Sequence, residues 1–255
     1  MNDLRPMSVM ADGQRIAEEL RVRVRGSLNM TLLPDFFIVE VYNLSDTDNA
    51  TLSDAKVLTI TAKEDYVICT GEISDIYTRP EGTNVITGIA VVDGESFWKT
   101  KVNKSVGGGA DIKKTILEIL SNATFGGYLA DDVRFPRGQC YVGSLAENVS
   151  MLAKTGNGRA FITKGVLYVV KKGKATEIFT IDDTDIINDE NFAKGVRTIK
   201  TDAKGYPLGA LVNVKGRQYR LVSQKISLDN FKGDWSSNLV MVDESELSTE
   251  GMVGG

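Results

Sequence analysis

The chain has 255 residues, 42% of them hydrophobic and 25% charged, with a formal net charge of −4 and no histidine. A chain of this length supports one large or two small domains and buries enough surface to fold without a disulfide framework or a metal. The missing histidine excludes Ser-His-Asp and Cys-His catalysis. The mild acidity and the lack of a Lys/Arg block exclude a stable grip on nucleic acid, although like charge would still let DNA slide past such a surface.

Residues 1–15 are polar and without a clear period, so they read as a flexible N-terminal arm. Met1 to Gly13 contains no apolar stretch of the signal-peptide kind, and no apolar run approaches the ~18 residues of a membrane-spanning helix. Leu20-Arg21-Val22-Arg23-Val24 alternates apolar and polar and predicts a half-buried strand. Phe37 to Tyr42, Val57 to Ala62, Tyr66 to Arg79 and Val85 to Val92 continue the β pattern. Turn residues at Asp46 to Asn49, Lys63-Glu64-Asp65, Pro80-Glu81-Gly82 and Asp93-Gly94 separate them, which is the spacing of a barrel or sandwich.

The character changes at Gly107-Gly108-Gly109, which reads as a flexible joint. Asp111 caps a predicted helix with Ile112, Ile116, Ile119 and Leu120 at helical spacing. Ser144-Leu145-Ala146-Glu147 is a capping box, and Gly156 ends the helix it opens. Phe161 to Val170 reads as a hairpin turning at Lys164-Gly165. Leu211 to Val214 and Arg217 to Ile226 form a second hairpin around Lys215-Gly216, and Asn238 to Val242 is a last strand. Residues 244–255 are acidic and then glycine-rich, and read as disordered.

Few residues suggest chemistry. Cys69 sits in the apolar run Tyr66-Val67-Ile68-Cys69 and reads as a buried thiol; a bond to Cys140 stays open. Two cysteines 71 positions apart do not match zinc-ligand spacing. Asp131-Asp132 and Asp182-Asp183 are the densest acidic spots, but both lie in turn-like sequence and read as solvated acids. Gly107 to Thr115 has Lys113 where a phosphate loop needs glycine, and Gly156-Asn157-Gly158 follows a helix where a dinucleotide site needs a strand. No catalytic, cofactor-binding or metal-ligating residue is nominated, and no cofactor is expected.

Several phrases, in order over residues 20–243, resemble one family. They are Phe37 to Tyr42 followed by Asn43-Leu44-Ser45; Thr70-Gly71-Glu72-Ile73; Ala90 to Gly94; the helix and hairpin of 145–169; and Tyr219 to Ile226 followed by Asp229 to Trp235 and Leu239. Together they resemble the baseplate hub proteins of contractile-tailed phages and related injection particles.

The resemblance implies a mainly β fold with a small α/β insertion and two tail-tube-like β-barrel domains. It divides the chain into the arm (1–15), a first β-barrel domain (16–104), a small α/β domain (105–175), a second β-barrel domain (176–243) and the tail (244–255). It implies a structural, non-enzymatic protein. Its homotrimeric ring would adapt the six-fold tail tube to the three-fold spike, in the tail baseplate of a virion made in the host cytoplasm. The implied partners are further copies of the chain, the tail tube protein, the spike protein, other baseplate proteins and the tape measure protein. Stable nucleic-acid binding and membrane insertion are not expected. Two other readings are a tail-tube or tail-completion subunit and a carboxylate-based cell-wall hydrolase using one of the Asp pairs.

Overall fold

The computed structural model describes residues 4–62, 66–121, 123–193, 195–203 and 206–245. Its first strands are β1 (Met7–Ala11), β2 (Gln14–Ile16), β3 (Val22–Asn29) and β4 (Asp35–Tyr42). Residues 7–16 are therefore ordered as a hairpin and not as a loose arm. Met7, Val9 and Ala11 alternate with polar or longer side chains, and Val9 and Ala11 are only 1% exposed. Asp12 and Gly13, both at positive φ (46° and 83°), make the tight turn that Asp-Gly favours.

Ser45 accepts the Asp48 N–H at 3.1 Å and opens α1 (Asp46–Asp54), where a turn was expected. Leu52 is its one buried residue, so the helix lacks the apolar stripe that would have signalled it. The chain continues through β5 (Val57–Ala62), β6 (Tyr66–Glu81) and β7 (Asn84–Asp93). The expected turn at Lys63-Glu64-Asp65 lies outside the described residues.

The middle of the chain holds α2 (Glu95–Lys99), β8 (Lys101–Val106), α3 (Ile112–Ile119), β9 (Thr124–Leu129), β10 (Gln139–Ser144), α4 (Leu145–Thr155), β11 (Gly158–Thr163) and β12 (Val166–Lys171). Both expected helix caps are made: Asp111 accepts the Lys114 N–H at 2.7 Å, and Ser144 accepts the Glu147 N–H at 3.3 Å. Gly107 to Gly109 connects β8 to α3, and both elements contribute side chains to one core with Phe97, Leu145, Val149, Leu152 and Leu167. The last part comprises β13 (Ile178–Ile181), a 3-10 turn at Asp183–Asp185, β14 (Ile186–Ala193), β15 (Val196–Asp202), β16 (Leu211–Val214), β17 (Arg217–Asp229) and β18 (Trp235–Asp243).

The molecule is mainly β, as expected. The first and last β regions join in one sheet, ordered β14-β15-β18-β17-β3-β4-β7-β6-β5-β1-β2, with β16 and β13 branching from β17. The join is β3 on β17, antiparallel from Asn29↔Ser223 to Arg23↔Asp229. The path is open at β14 and β2, so no closed barrel is present among the described residues. A main core takes Val24, Phe37, Ile60 and Ile89 from the first β region, and Val212, Leu221, Leu239 and Met241 from the last.

The three-stranded sheet β11-β12-β9 separates this core from the second one. Alternate residues on a strand face opposite sides. Phe161 and Val170 therefore enter the main core, while Ala160, Ile162, Leu167 and Val169 enter the second.

Candidate functional site

Neither acidic pair converges on a cleft. Asp131 accepts Lys171 Nζ at 2.5 Å and Asn157 Nδ2 at 3.1 Å, and the lysine contact holds its carboxyl below the usual range. Asp132 is exposed, and so are Asp182 and Asp183, with Asp183 4.0 Å from Lys215. A groove of about 570 Å3 lies between β9, β12 and the segment 206–208. It is lined by Leu28, Tyr168, Tyr206 and Leu208, with Lys164 and Glu177 at its polar side, and by neither Asp pair.

A cluster of buried ionisable groups, which shares Lys164 with that groove, lies where β4 begins and β7 ends beside the β11–β12 hairpin. Asp35 and Asp93 are Cα partners across β4 and β7. Asp35 accepts the Asn29 N–H at 3.0 Å and Asn29 Nδ2 at 2.8 Å. Asp93 accepts the N–H of Lys164 and, at 2.8 Å, that of Gly165. Lys164 Nζ in turn donates to Tyr66 Oη at 3.0 Å and to the Val67 carbonyl at 2.5 Å.

Burial pushes Asp35 up to about 7 and Asp93 up to about 6, and pulls Lys164 down to about 8. Burial also raises the Cys69 thiol to about 12, so it is a poor nucleophile at neutral pH. Both cysteines are free. Each carboxylate here is occupied by backbone or side-chain N–H groups, so the cluster works as a clasp.

A second node locks the seam of the two β regions. Arg21 donates to both Asp229 carboxylate oxygens at 3.2 and 2.7 Å, and Arg23 Nε donates at 2.9 Å. Burial pushes the Asp229 carboxyl up, but these bonds outweigh it and hold the group at about 2. The two guanidinium groups lie 4.7 and 5.1 Å from the Tyr42 ring centre, within cation–π range. Asn230 completes the node: its Oδ1 accepts the Val22 N–H and its Nδ2 donates to the Leu20 carbonyl.

The phrases that carried the family resemblance supply Asp93, Lys164 and Asp229 to these clusters and make further contacts outside them. Asn43 sits at φ 57° after β4, and its Oδ1 accepts the Val85 N–H at 2.9 Å. A Cβ on Gly71 would stand 2.6 Å from the Val92 carbonyl oxygen. Glu72 accepts the Ser96 N–H at 3.0 Å at the start of α2. Asp35, Lys164 and the two arginines were missed by sequence reasoning. The one available signal was charge at strand or turn positions that otherwise read as solvent-facing.

No protein-family model matches the chain, and no curated protein matches it in sequence. Its fold does match solved structures. The 43 kDa tail protein of prophage MuSo2 from Shewanella oneidensis aligns with a TM-score of 0.68 at 9% identity, over 94% of this chain and 97% of that one. The tail protein from Neisseria meningitidis MC58 gives 0.62 at 10% identity, over 92% and 95%. The chain has the tail-protein fold. A component of the Escherichia coli type VI secretion system, itself structurally similar to T4 bacteriophage tail proteins, gives 0.61 at 9% identity, over 93% and 77%. At such identities the tail-protein fold is shared while nearly every side chain differs.

Proposed function

We propose that this chain is a structural baseplate hub of a phage tail or tail-like particle. In this reading three copies form a ring that adapts a six-fold tail tube to a three-fold spike. The observation that carries it is the tail-protein fold across more than nine-tenths of the chain. The open sheet supports it: the exposed edges at β2 and β14 are the kind that proteins cover or pair. In the ring, the two β regions act as the tail-tube-like barrel domains (16–104 and 176–243), each completed by neighbouring chains, and the α/β domain (105–175) is set between them. The tail 244–255 lies largely outside the described residues.

In this reading the chain acts without catalysis, which is supported by the commitment of its buried acids Asp35, Asp93 and Asp229 to N–H groups. Its partners are further copies of itself, the tail tube, the spike, other baseplate proteins and the tape measure protein, in the baseplate of the particle. Electron microscopy of the particle tests this directly. Three copies in a ring between tube and spike are expected. Six copies in a six-fold ring would make it a tube-type subunit. Release of dye from labelled cell walls by the pure protein, lost on substituting Asp131 and Asp132, would restore the hydrolase reading.

A further inference from the structure

The near-neutral total hides a strong charge division. Residues 95–174 carry thirteen Lys and Arg against six Asp and Glu, whereas the rest of the chain carries 17 against 28. A basic α/β unit therefore sits on an acidic β body.

On the basic unit, Lys113 and Lys114 in the first turn of α3 are exposed, as are Arg134 and Arg137 in the segment beside it. An isolated antiparallel backbone β-bridge between Asp111 and Arg134 and an Ile112 N–H to Val133 carbonyl bond of 3.2 Å tie that segment to the helix. Leu117 lies one turn from Lys113 on the same helix face. Leu117 and Val133 are 49% and 39% exposed beside these cations, where Glu118, 3.9 Å from Lys114, is the acidic neighbour on the helix.

On the body, residues 175–193 hold six Asp and Glu and no Lys or Arg. This stretch contains β13 and β14. Among the described residues β13 pairs only with β16, and β14 only with β15. Ile178 and Ile187 are each 62% exposed. Ile187 is skipped in the β14–β15 register, as a bulge residue is. Lys215 and Arg197 take up Asp189, and Lys215 approaches Asp183, while Glu177, Asp182 and Glu190 are exposed.

We propose that the acidic segment from Glu177 to Glu190 of one copy docks on the basic α3 patch of a second copy. The inference rests on the ring reading above and deepens it by naming the two faces. Each face has apolar residues within a charged surround, the usual anatomy of a protein interface. Opposite charge selects the partner and the register. Two acidic edges repel, which disfavours β14 pairing with its own copy. Because the two faces differ, the contact is head-to-tail, and a head-to-tail contact whose rotation closes generates a ring.

The test is sedimentation of the full chain over a concentration series at about 20 mM and about 500 mM NaCl, with at least about tenfold weaker association expected at the higher salt. Two variants reverse the faces separately: Lys113→Glu with Lys114→Glu and Arg134→Glu, and Glu177→Lys with Asp182→Lys and Glu190→Lys. Each alone should lose association, and an equimolar mixture should regain association between unlike variants, as pairs rather than as a three-copy ring, because an alternating ring cannot close on an odd number of copies. Wild-type association in either variant, no recovery in the mixture, or a wild-type chain that stays monomeric at low salt would overturn the docking. A three-copy ring in the particle that meets through other faces would also overturn it and leave the hub reading standing. A six-copy ring would remove the hub reading whatever the charge-swap result.

Discussion

Asp93, the last residue of β7, accepts the backbone N–H groups of Lys164 and Gly165 and so pins the tip of the β11–β12 hairpin to the end of the large sheet. Lys164 answers by donating its ammonium to Tyr66 Oη and the Val67 carbonyl on β6. The turn and the sheet thus hold each other through two sets of contacts, one spanning 71 positions to Asp93 and the other 98 and 97 positions to Tyr66 and Val67.

Removing that carboxylate leaves two part-buried turn N–H groups without their partner. An orphaned buried donor costs about 1–3 kcal/mol. Asp93→Ala is therefore expected to lower stability by about 2–4 kcal/mol, and Asp93→Asn by less, since its amide oxygen still accepts. Urea unfolding of the two variants against wild type checks the order. An Asp93→Ala protein as stable as wild type would show that the clasp contributes nothing.

The same cluster makes stability depend on pH in an unusual direction. Asp35 and Asp93 have folded pKa values of about 7 and about 6, above the unfolded value of 3.8. Between these limits the folded state binds more protons, so stability falls as pH rises from about 4 to 7. Lys164, lowered to about 8 from 10.5, acts oppositely, and its contribution returns as pH climbs from 8 toward 10.5. Asp229 and Asp189, both held at about 2, contribute stability that is lost only as pH drops from 3.8 toward 2. Thermal unfolding should therefore show a maximum near pH 4–5 and a shallow minimum near pH 7–8. The slope between pH 5 and 7.5 should flatten in Asp35→Asn; an unchanged slope in that variant would remove Asp35 as its source.

Much of this fold was legible in the sequence, and the exceptions share a cause. Asp111, Ser144 and Gly156 announced two helices because caps and apolar periodicity act locally. Lys164-Gly165 and Lys215-Gly216 announced two hairpins because their positive φ angles need such residues. The β1–β2 hairpin carried its own Asp-Gly signal, but its strands are short and its burial depends on β5, more than 40 positions away. Pairing of β3 with β17 joins segments about 200 residues apart, and no local pattern encodes that partner. Asp35 and Lys164 were invisible for the same reason, since a strand or turn charge is buried only by what packs on it later.

Two glycines of the same chain should respond oppositely to alanine. Gly71 lies where a Cβ would meet the Val92 carbonyl at 2.6 Å, so the main chain itself must move. Gly107 has no atom within 4 Å of that position. Overpacking costs about 1–3 kcal/mol, so Gly71→Ala should lower the unfolding midpoint clearly and Gly107→Ala should leave it within error. Equal effects would mean that strand β6 can shift away from β7 at no cost.

The seam node gives the sharpest test of how the two β regions are joined. Asp229 receives three guanidinium hydrogen bonds from Arg21 and Arg23 while its own side chain is 10% exposed. Taking away one partner of a buried ion cluster strands the others, which costs about 3–5 kcal/mol when fully buried and less when water reaches the arginines. Arg21 and Arg23 keep 27% and 25% side-chain exposure, so Asp229→Asn is expected to cost about 2–3 kcal/mol. The loss should concentrate at the β3–β17 pairing. Hydrogen exchange of the Val24, Gly26 and Leu28 amides should accelerate in the variant while amides of α4 keep their protection. Uniform acceleration across both cores would mean instead that the node stabilises the whole molecule as one cooperative unit.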